Sequence, residues 1–271
     1  MWIEDIFGTS KCVIGMIHVP PLPGAPLYDD AAGVGRLLDS ARADLLALQE
    51  GGIDAVMFCN ENDRPYELAV GPETVGAMAA LIGQLKSELD VPFGVDVLWD
   101  PVAAIAVAHA TGGSFVREVF TGSYTSDMGL WNTNAARALR FRRRIGANVK
   151  LLYNVNAEFA SSFDQRALGA LAGSVAFSSL PDGICVSGPM TGTEVDIDRL
   201  ATVKAAVGHI PVFVNTGVRR ENVREKLRHA DGCIVGTGLK REGVTWNSVD
   251  PARVKALMAE VEDFRAELPP G

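Results

Sequence analysis

The sequence predicts a single (β/α)8 TIM barrel over residues 1–271. Three observations predict it. Short, apolar, β-branched runs alternate with amphipathic stretches of helical length, the pattern of a parallel sheet covered by helices. The length suits one such barrel. Two glycine turns, Asn215-Thr216-Gly217-Val218 and Gly236-Thr237-Gly238-Leu239-Lys240, follow the last two runs, where barrels of this kind commonly hold a phosphate. An open doubly wound sheet is disfavoured. After the first strand it needs Gly-x-Gly-x-x-Gly, and this chain has Pro20-Pro21-Leu22-Pro23-Gly24-Ala25-Pro26.

The elements follow in order. The eight strands are read at residues 12–19, 55–60, 93–98, 115–120, 150–156, 183–187, 212–215 and 232–236. Pro92 and Pro211 precede the third and seventh, where no ladder donor is needed. Helices are read at 34–50 and 74–89, among others, and Gly51-Gly52 ends the first of these. Asn222 or Arg220 is expected to open the seventh helix. Asp250-Pro251 opens the eighth, as an N-cap followed by proline at N1. Two long loops are expected over the mouth. Residues 20–30 are stiffened by prolines, and 121–132, with Gly, Ser, Thr and Trp131, reads as a closing lid.

Apolar residues make up 48 %, enough for a large core, and the formal charge is 25 − 33 = −8. The basic cluster Arg140, Arg142, Arg143 and Arg144 sits late in a helix, where cations suit the dipole, so no nucleic-acid partner is expected. No segment reads as a signal peptide or a membrane span. Cys12, Cys59, Cys185 and Cys233 lie in separate strands without metal-type spacing and read as reduced thiols of a cytoplasmic protein. Homo-oligomerisation is the general expectation for barrels of this type.

Active sites on this fold form at the C-terminal strand ends. Those positions hold His18, Asn60, Glu61, Asp96, Asp100, Arg117, Glu118, Asn154, Asn156, Ser187, Asn215 and Lys240. So many polar groups capping apolar strands are costly to bury without a ligand or partners, which points to a shared polar pocket. Strand alternation separates Arg117 from Glu118. Glu118, sharing a side with Val116 and Phe120, is expected to face the barrel, and Arg117 the helices. Asp96 and Glu118 have three readings: a general base beside a carbonyl, oxygen ligands for Mg²⁺ or Mn²⁺ with help from Glu61, or an ion-pair network with Arg117 or Arg64. His18 reads as an acid or oxyanion donor, or as an anchor for the proline-rich loop. The remaining histidines fall in or near the ends of outer helices. Gly217, Gly236 and Gly238 let backbone amides approach phosphate oxygens, with Lys240 or Arg219 adding charge; tight turning alone is the alternative. A Schiff-base lysine is disfavoured, because no lysine ends an interior-facing run. Trp99 and Trp131 read either as stacking platforms for a sugar or base or as ordinary packing.

The stretch Ile14-Gly15-Met16-Ile17-His18-Val19-Pro20-Pro21-Leu22-Pro23-Gly24-Ala25-Pro26 resembles the opening signature of the BtpA family. The similarity continues through Gly51-Gly52-Ile53-Asp54-Ala55, Thr121-Gly122-Ser123, Val186-Ser187-Gly188-Pro189-Met190-Thr191-Gly192 and Asn215-Thr216-Gly217-Val218. It closes at Ile234-Val235-Gly236-Thr237-Gly238-Leu239-Lys240-Arg241-Glu242-Gly243. The resemblance implies a TIM-type barrel. It also implies either photosystem I biogenesis, as for cyanobacterial members, or sugar metabolism. Departures fall on one side of the mouth. The family's Asn-Val-Leu-Arg-Asn-Asp-like run is Asp96-Val97-Leu98-Trp99-Asp100-Pro101 here, and its Arg-Val-Asn is Arg117-Glu118-Val119. An Asp closely followed by Lys-His is replaced by Asn154, Glu158 and Phe159. A Glu-Asn-x-Gly-Asp-x-Pro-Phe-like run is Glu61-Asn62-Asp63-Arg64-Pro65-Tyr66. The phosphate-end motifs persist, so the chain reads as a diverged branch with a similar anchoring group and a different reacting group.

The function expected is an enzyme of isomerase or carbon–carbon lyase type acting on a small phosphorylated sugar or related metabolite. His18, Asp96, Glu118 and Asn154 take the catalytic roles. Glu61, Arg117, Asn156, Ser187, Asn215, Gly217, Gly236, Gly238 and Lys240 bind the substrate and its phosphate. The alternative is a non-catalytic assembly or regulatory factor, which predicts an exposed apolar patch on the helical ring.

Overall fold

The computed structural model describes residues 2–269. The chain runs α1 (Trp2–Phe7), β1 (Cys12–His18), α2 (Gly33–Glu50), β2 (Ala55–Cys59), α3 (Pro72–Leu85), β3 (Phe93–Asp96), α4 (Pro101–Thr111) and β4 (Phe115–Glu118). It continues through β5 (Ser123–Ser126), β6 (Gly129–Asn132), α5 (Ala135–Arg144), β7 (Lys150–Asn154), β8 (Ala160–Ser162), α6 (Leu168–Ser178) and β9 (Gly183–Val186). It ends with α7 (Ile197–Ala206), β10 (Val212–Val214), α8 (Val223–His229), β11 (Gly232–Val235) and α9 (Pro251–Ala266). The parallel strands close in the order β1-β11-β10-β9-β7-β4-β3-β2, so the fold is the single (β/α)8 barrel that the sequence predicts.

Both faces of each barrel strand are buried, and they pack into different cores. Val13, Ile17, Val56, Val95 and Val116 face the helices, together with Leu45, Leu81 and Val254. Cys12, Ile14, Met57, Phe115, Leu152, Cys185, Phe213 and Ile234 fill the interior, and α1 closes the N-terminal end with Ile3 and Phe7. Phe7 meets Phe115 edge-on at 5.6 Å. Gly94 makes room for Phe115, whose ring atoms would lie 2.2 Å from a Cβ there. The four cysteines are buried and unpaired.

Capping is largely as the sequence implies. Asp250 accepts from Ala252 N ahead of Pro251. Gly51-Gly52 ends α2, with Gly52 at φ +82°, the left-handed region that favours glycine. Asp100 is also an N-cap, accepting from Val102 and Ala103 at 3.0 and 3.1 Å, so its place among the candidate site residues is explained by α4. Asn222 stands at the N-cap of α8, but its side chain instead accepts from Arg219 N at 2.9 Å.

Two expectations change. Barrel strands stop one or two residues short of the predicted ends, because Asn60, Asn156, Ser187, Asn215 and Gly236 have already turned into the mouth. The 121–132 segment is not an open loop. β5 and β6 form a hairpin, and β8 adds to it in an antiparallel sheet ordered β6-β5-β8. Tyr124 and Trp131 pack under it at 5.5 Å. Trp131 and Trp99 are buried against each other at 5.2 Å, which settles them as packing residues. No described helix is long and apolar enough to cross a membrane.

Candidate active site

A cavity of about 210 Å³ opens at the C-terminal ends of the barrel strands. One wall is the glycine turns. Gly217 follows β10, and Gly236, Thr237 and Gly238 follow β11; all line the cavity. Gly217 has φ +68°, and a Cβ there would stand 2.3 Å from Glu194 Cα. A Cβ on Gly238 would meet Val218 O at 2.4 Å. Gly238 lets the two turns nest against each other, and Gly217 lets the first of them pack against the 193–194 loop. Thr237 and Gly238 start a 3-10 turn (Thr237–Leu239), and the first amides of such a turn have no intrahelical acceptor. Arg219 and Arg253 flank this wall. Arg219 pairs with Glu194 at 2.8 Å, and Arg253 Nε donates to Gly238 O at 3.0 Å.

His18, at the end of β1, sits beside Gly236, whose Cβ position lies 3.1 Å from its ring, and the wall away from the turns carries Glu61, Arg117 and Glu158. Arg117, on β4, shares the interior face with Phe115 and Val119. Its Nη2 is 3.2 Å from Asp96 Oδ2, and its Nη1 is 3.9 Å from Glu158 Oε1. Neither contact is aligned as a hydrogen bond; Nε and Nη1 of Arg117 and both oxygens of Asp96 lack hydrogen-bond partners. Buried charges left so poorly satisfied are costly in an empty cavity and useful to a ligand. Glu158 is held more firmly. Asn215 Nδ2 donates to its Oε1 at 3.0 Å and to Ser187 Oγ at 2.7 Å. Thr191 Oγ1 lies 3.0 Å from Glu61 Oε1 and 3.5 Å from Glu158 Oε2, so one hydroxyl bridges two carboxyls.

Burial dominates the electrostatics. It pushes Glu158 up to about 7, against the pull of Arg117. It also raises Glu61 and Asp96, again opposed by Arg117. Burial works against the Arg117 charge too, but Asp96 and Glu158 hold that cation above its usual range. Burial and then the Lys240 charge push His18 down to about 3, so at neutral pH His18 is an uncharged imidazole, able to hydrogen-bond but not to act as an imidazolium acid.

The structure corrects several predicted roles. Arg117 faces the cavity, whereas Glu118 lies on the helix-facing side of β4 with Val116 and Phe120. Burial and the neighbouring Asp96 drive Glu118 well above the ordinary carboxylate range, and it does not line the cavity. Lys240 does not reach the phosphate wall: its side chain is 1 % exposed and its ammonium donates to Asp44 Oδ2 of α2 at 2.6 Å. Asn154 is fully buried below the mouth, with neither side-chain polar atom satisfied. Asn156 and Ser187 line a separate groove beside Tyr124 and Arg199, although Ser187 supports Asn215 from behind. Asn60 is a bracket, accepting from Leu98 N and donating to Asp63. The donor set does not suit a protein-held hard metal. Asp96 is paired with Arg117, neither Asp96 nor its neighbour Glu118 lines the cavity, and no group of three His, Cys, Asp or Glu among the described residues is placed to hold an ion.

Glu158, Thr191 and Arg253 are site residues that strand-end reading misses. Glu158 and Thr191 sit in loops beyond their strands, and Arg253 lies in the first turn of α9.

A model of the BtpA family matches residues 9–263. The putative sgc region protein SgcQ of Escherichia coli K12 is 48 % identical over 97 % of this chain and 99 % of its own length. The photosystem I biogenesis protein BtpA of Synechocystis is 31 % identical over 95 % and 90 %. Among solved structures, phosphoribosyl anthranilate isomerase from Thermococcus kodakaraensis superposes with a TM-score of 0.54 at 17 % identity, covering 93 % of this chain and 99 % of that one; at that identity the likeness speaks for the fold.

Proposed function

This chain belongs to the BtpA family, and from that premise and the geometry of the mouth we propose that it is an enzyme performing proton-transfer chemistry, of isomerase or carbon–carbon lyase type, on a small phosphorylated sugar or related metabolite. The observation that carries the reading is Glu158: a cavity-lining carboxyl whose pKa is raised to about 7, beside a partly unsatisfied Arg117 and opposite the glycine wall. A base poised near neutral pH is the one best matched to general acid–base work.

The division of labour follows from position. The amides of Gly217, Thr237 and Gly238, with Arg219 and Arg253 nearby, receive the phosphate. Glu158 takes a proton from carbon beside a carbonyl. Arg117 and the neutral His18 hydrogen-bond the oxygen on which charge develops, a role for which an uncharged imidazole serves. Glu158, or Glu61 through the Thr191 hydroxyl, returns the proton to the adjacent carbon or to the departing fragment. The solved barrel named above carries a phosphoribosyl substrate in its name, in keeping with this reading.

A thermal-shift screen tests it, using sugar phosphates and their unphosphorylated parents, each with and without Mg²⁺ or Mn²⁺. A ligand at 100 times its Kd adds about 2.7 kcal/mol. Stabilisation by phosphorylated compounds alone is expected. A panel that leaves the midpoint unmoved sinks the phosphate reading.

One observation favours a second reading, a non-catalytic assembly factor. Phe177 on α6 and Leu180 just after it are 87 % and 65 % exposed, an apolar spot on the helical ring. Recovery of only the chain itself in a pull-down counts against it.

A further inference from the structure

The mouth cavity does not end at the carboxyls. Past Glu61 and Thr191, which line both spaces, a second chamber of about 400 Å³ opens. Together the two exceed the roughly 300 Å³ at which small-molecule sites begin. Their chemistry differs sharply. The first is walled by backbone amides, arginines and carboxyls. The second is lined mainly by Tyr66, Met128, Phe159, Met190 and Trp246, with Arg64, Asp127 and the shared Glu61 as its charged groups.

The arginine sets the chamber's recognition. The Arg64 guanidinium carbon lies over the Trp246 ring, 3.7 Å from its centroid. Its Nε is buried without a hydrogen-bond partner, and no carboxylate among the described residues pairs with it. Tyr66 and Phe159, which line the same chamber, sit 6.3 Å apart, and Tyr66 is fixed by its hydroxyl donating to Glu61 O at 2.9 Å. Aromatic faces with an unspent planar donor recognise a flat ring that carries a hydrogen-bond acceptor. Trp246 is 49 % exposed; a Trp half in solvent on a loop, with no core to fill, is placed for contact.

We infer that the substrate is a sugar phosphate bearing a planar, acceptor-carrying ring, with the ring seated between Trp246–Arg64 and Tyr66–Phe159. This rests on the phosphate reading above and names the substrate class for the same site. With the phosphate at the glycine turns and the ring beyond Thr191, the sugar lies alongside Glu158 and Glu61. The carbons that react are then those between the two anchors.

Calorimetric titration of the full chain tests it with ribose 5-phosphate, purine and pyrimidine nucleoside 5′-monophosphates, an aryl glycoside phosphate, and the matching unphosphorylated nucleosides. Ring-bearing phosphates should bind at least about tenfold more tightly than ribose 5-phosphate, the scale of one aromatic stack. W246A should erase that difference; its exposure makes the variant safe for folding, checked by circular dichroism. The nucleotide and aryl arms tell a nucleobase from a simple aromatic ring. Equal affinity for ring-bearing and ring-free phosphates overturns the inference and leaves the phosphate reading standing. Binding of unphosphorylated nucleosides alone, lost in W246A, supports the ring site and removes the phosphate reading. No binding by any compound overturns both.

Discussion

Arg117 Nη2 lies 3.2 Å from Asp96 Oδ2, with the two side chains 6 % and 0 % exposed. It is the cation that Asp96, Glu61 and Glu158 all face. Removing one partner of a buried pair typically costs about 3–5 kcal/mol, because the other charge is stranded. R117M should therefore lose stability of that order at pH 8. The loss should shrink at pH 5, where the carboxyls take up protons and no longer need a cation. Urea unfolding at both pH values measures it; an equal loss at the two would mean that Arg117 matters for packing and not for charge.

The Lys240–Asp44 pair joins the last glycine turn to α2. Asp44 is also held by Val249 N at 2.7 Å. K240M alone should destabilise by about 3–5 kcal/mol. The double variant D44N/K240M should regain most of that, since no charge is stranded and the amide oxygen still accepts from Val249 N. The stable double variant should still respond to sugar phosphates in a thermal-shift assay. If it unfolds normally but no longer responds, Lys240 belongs back among the anion ligands.

Glu158 gives stability a pH slope of known sign. Its folded pKa, about 7, stands above the ordinary 4.5, so the folded state holds the proton more tightly. That contribution is fully present below about 4.5 and is lost as pH rises through about 7. A shift of this size corresponds to roughly 3 kcal/mol. E158Q should flatten the curve between those limits and be more stable than the parent at pH 8. The slope will not vanish, because Glu61, Asp96 and Glu118 shift in the same direction. A curve unchanged by E158Q would move the titration to another carboxyl.

The barrel was legible because each strand is a short apolar run between turn residues, a local signal. The facing of β4 was not. In a doubly covered strand both sides are apolar, so Val116 and Phe120 look as suitable for the interior as Phe115 and Val119, and parity alone cannot place Arg117. Lys240 misled for a different reason: its partner, Asp44, is 196 residues away, and no local pattern links them. Glu158 was hidden because it belongs to a loop, and its role depends on Asn215 and Thr191 arriving from later strands. The glycine turns were legible because close approach requires glycine wherever the chain brings the turns together.

Helix α1 gives the molecule an inner end. With Ile3 and Phe7 seated against Phe115 and the interior, the barrel is a cul-de-sac rather than a tunnel. Among the described residues the closed inner end leaves the mouth as the approach to Asp96, Arg117 and Glu158. A ligand standing there would keep bulk solvent from those three charges for its whole stay.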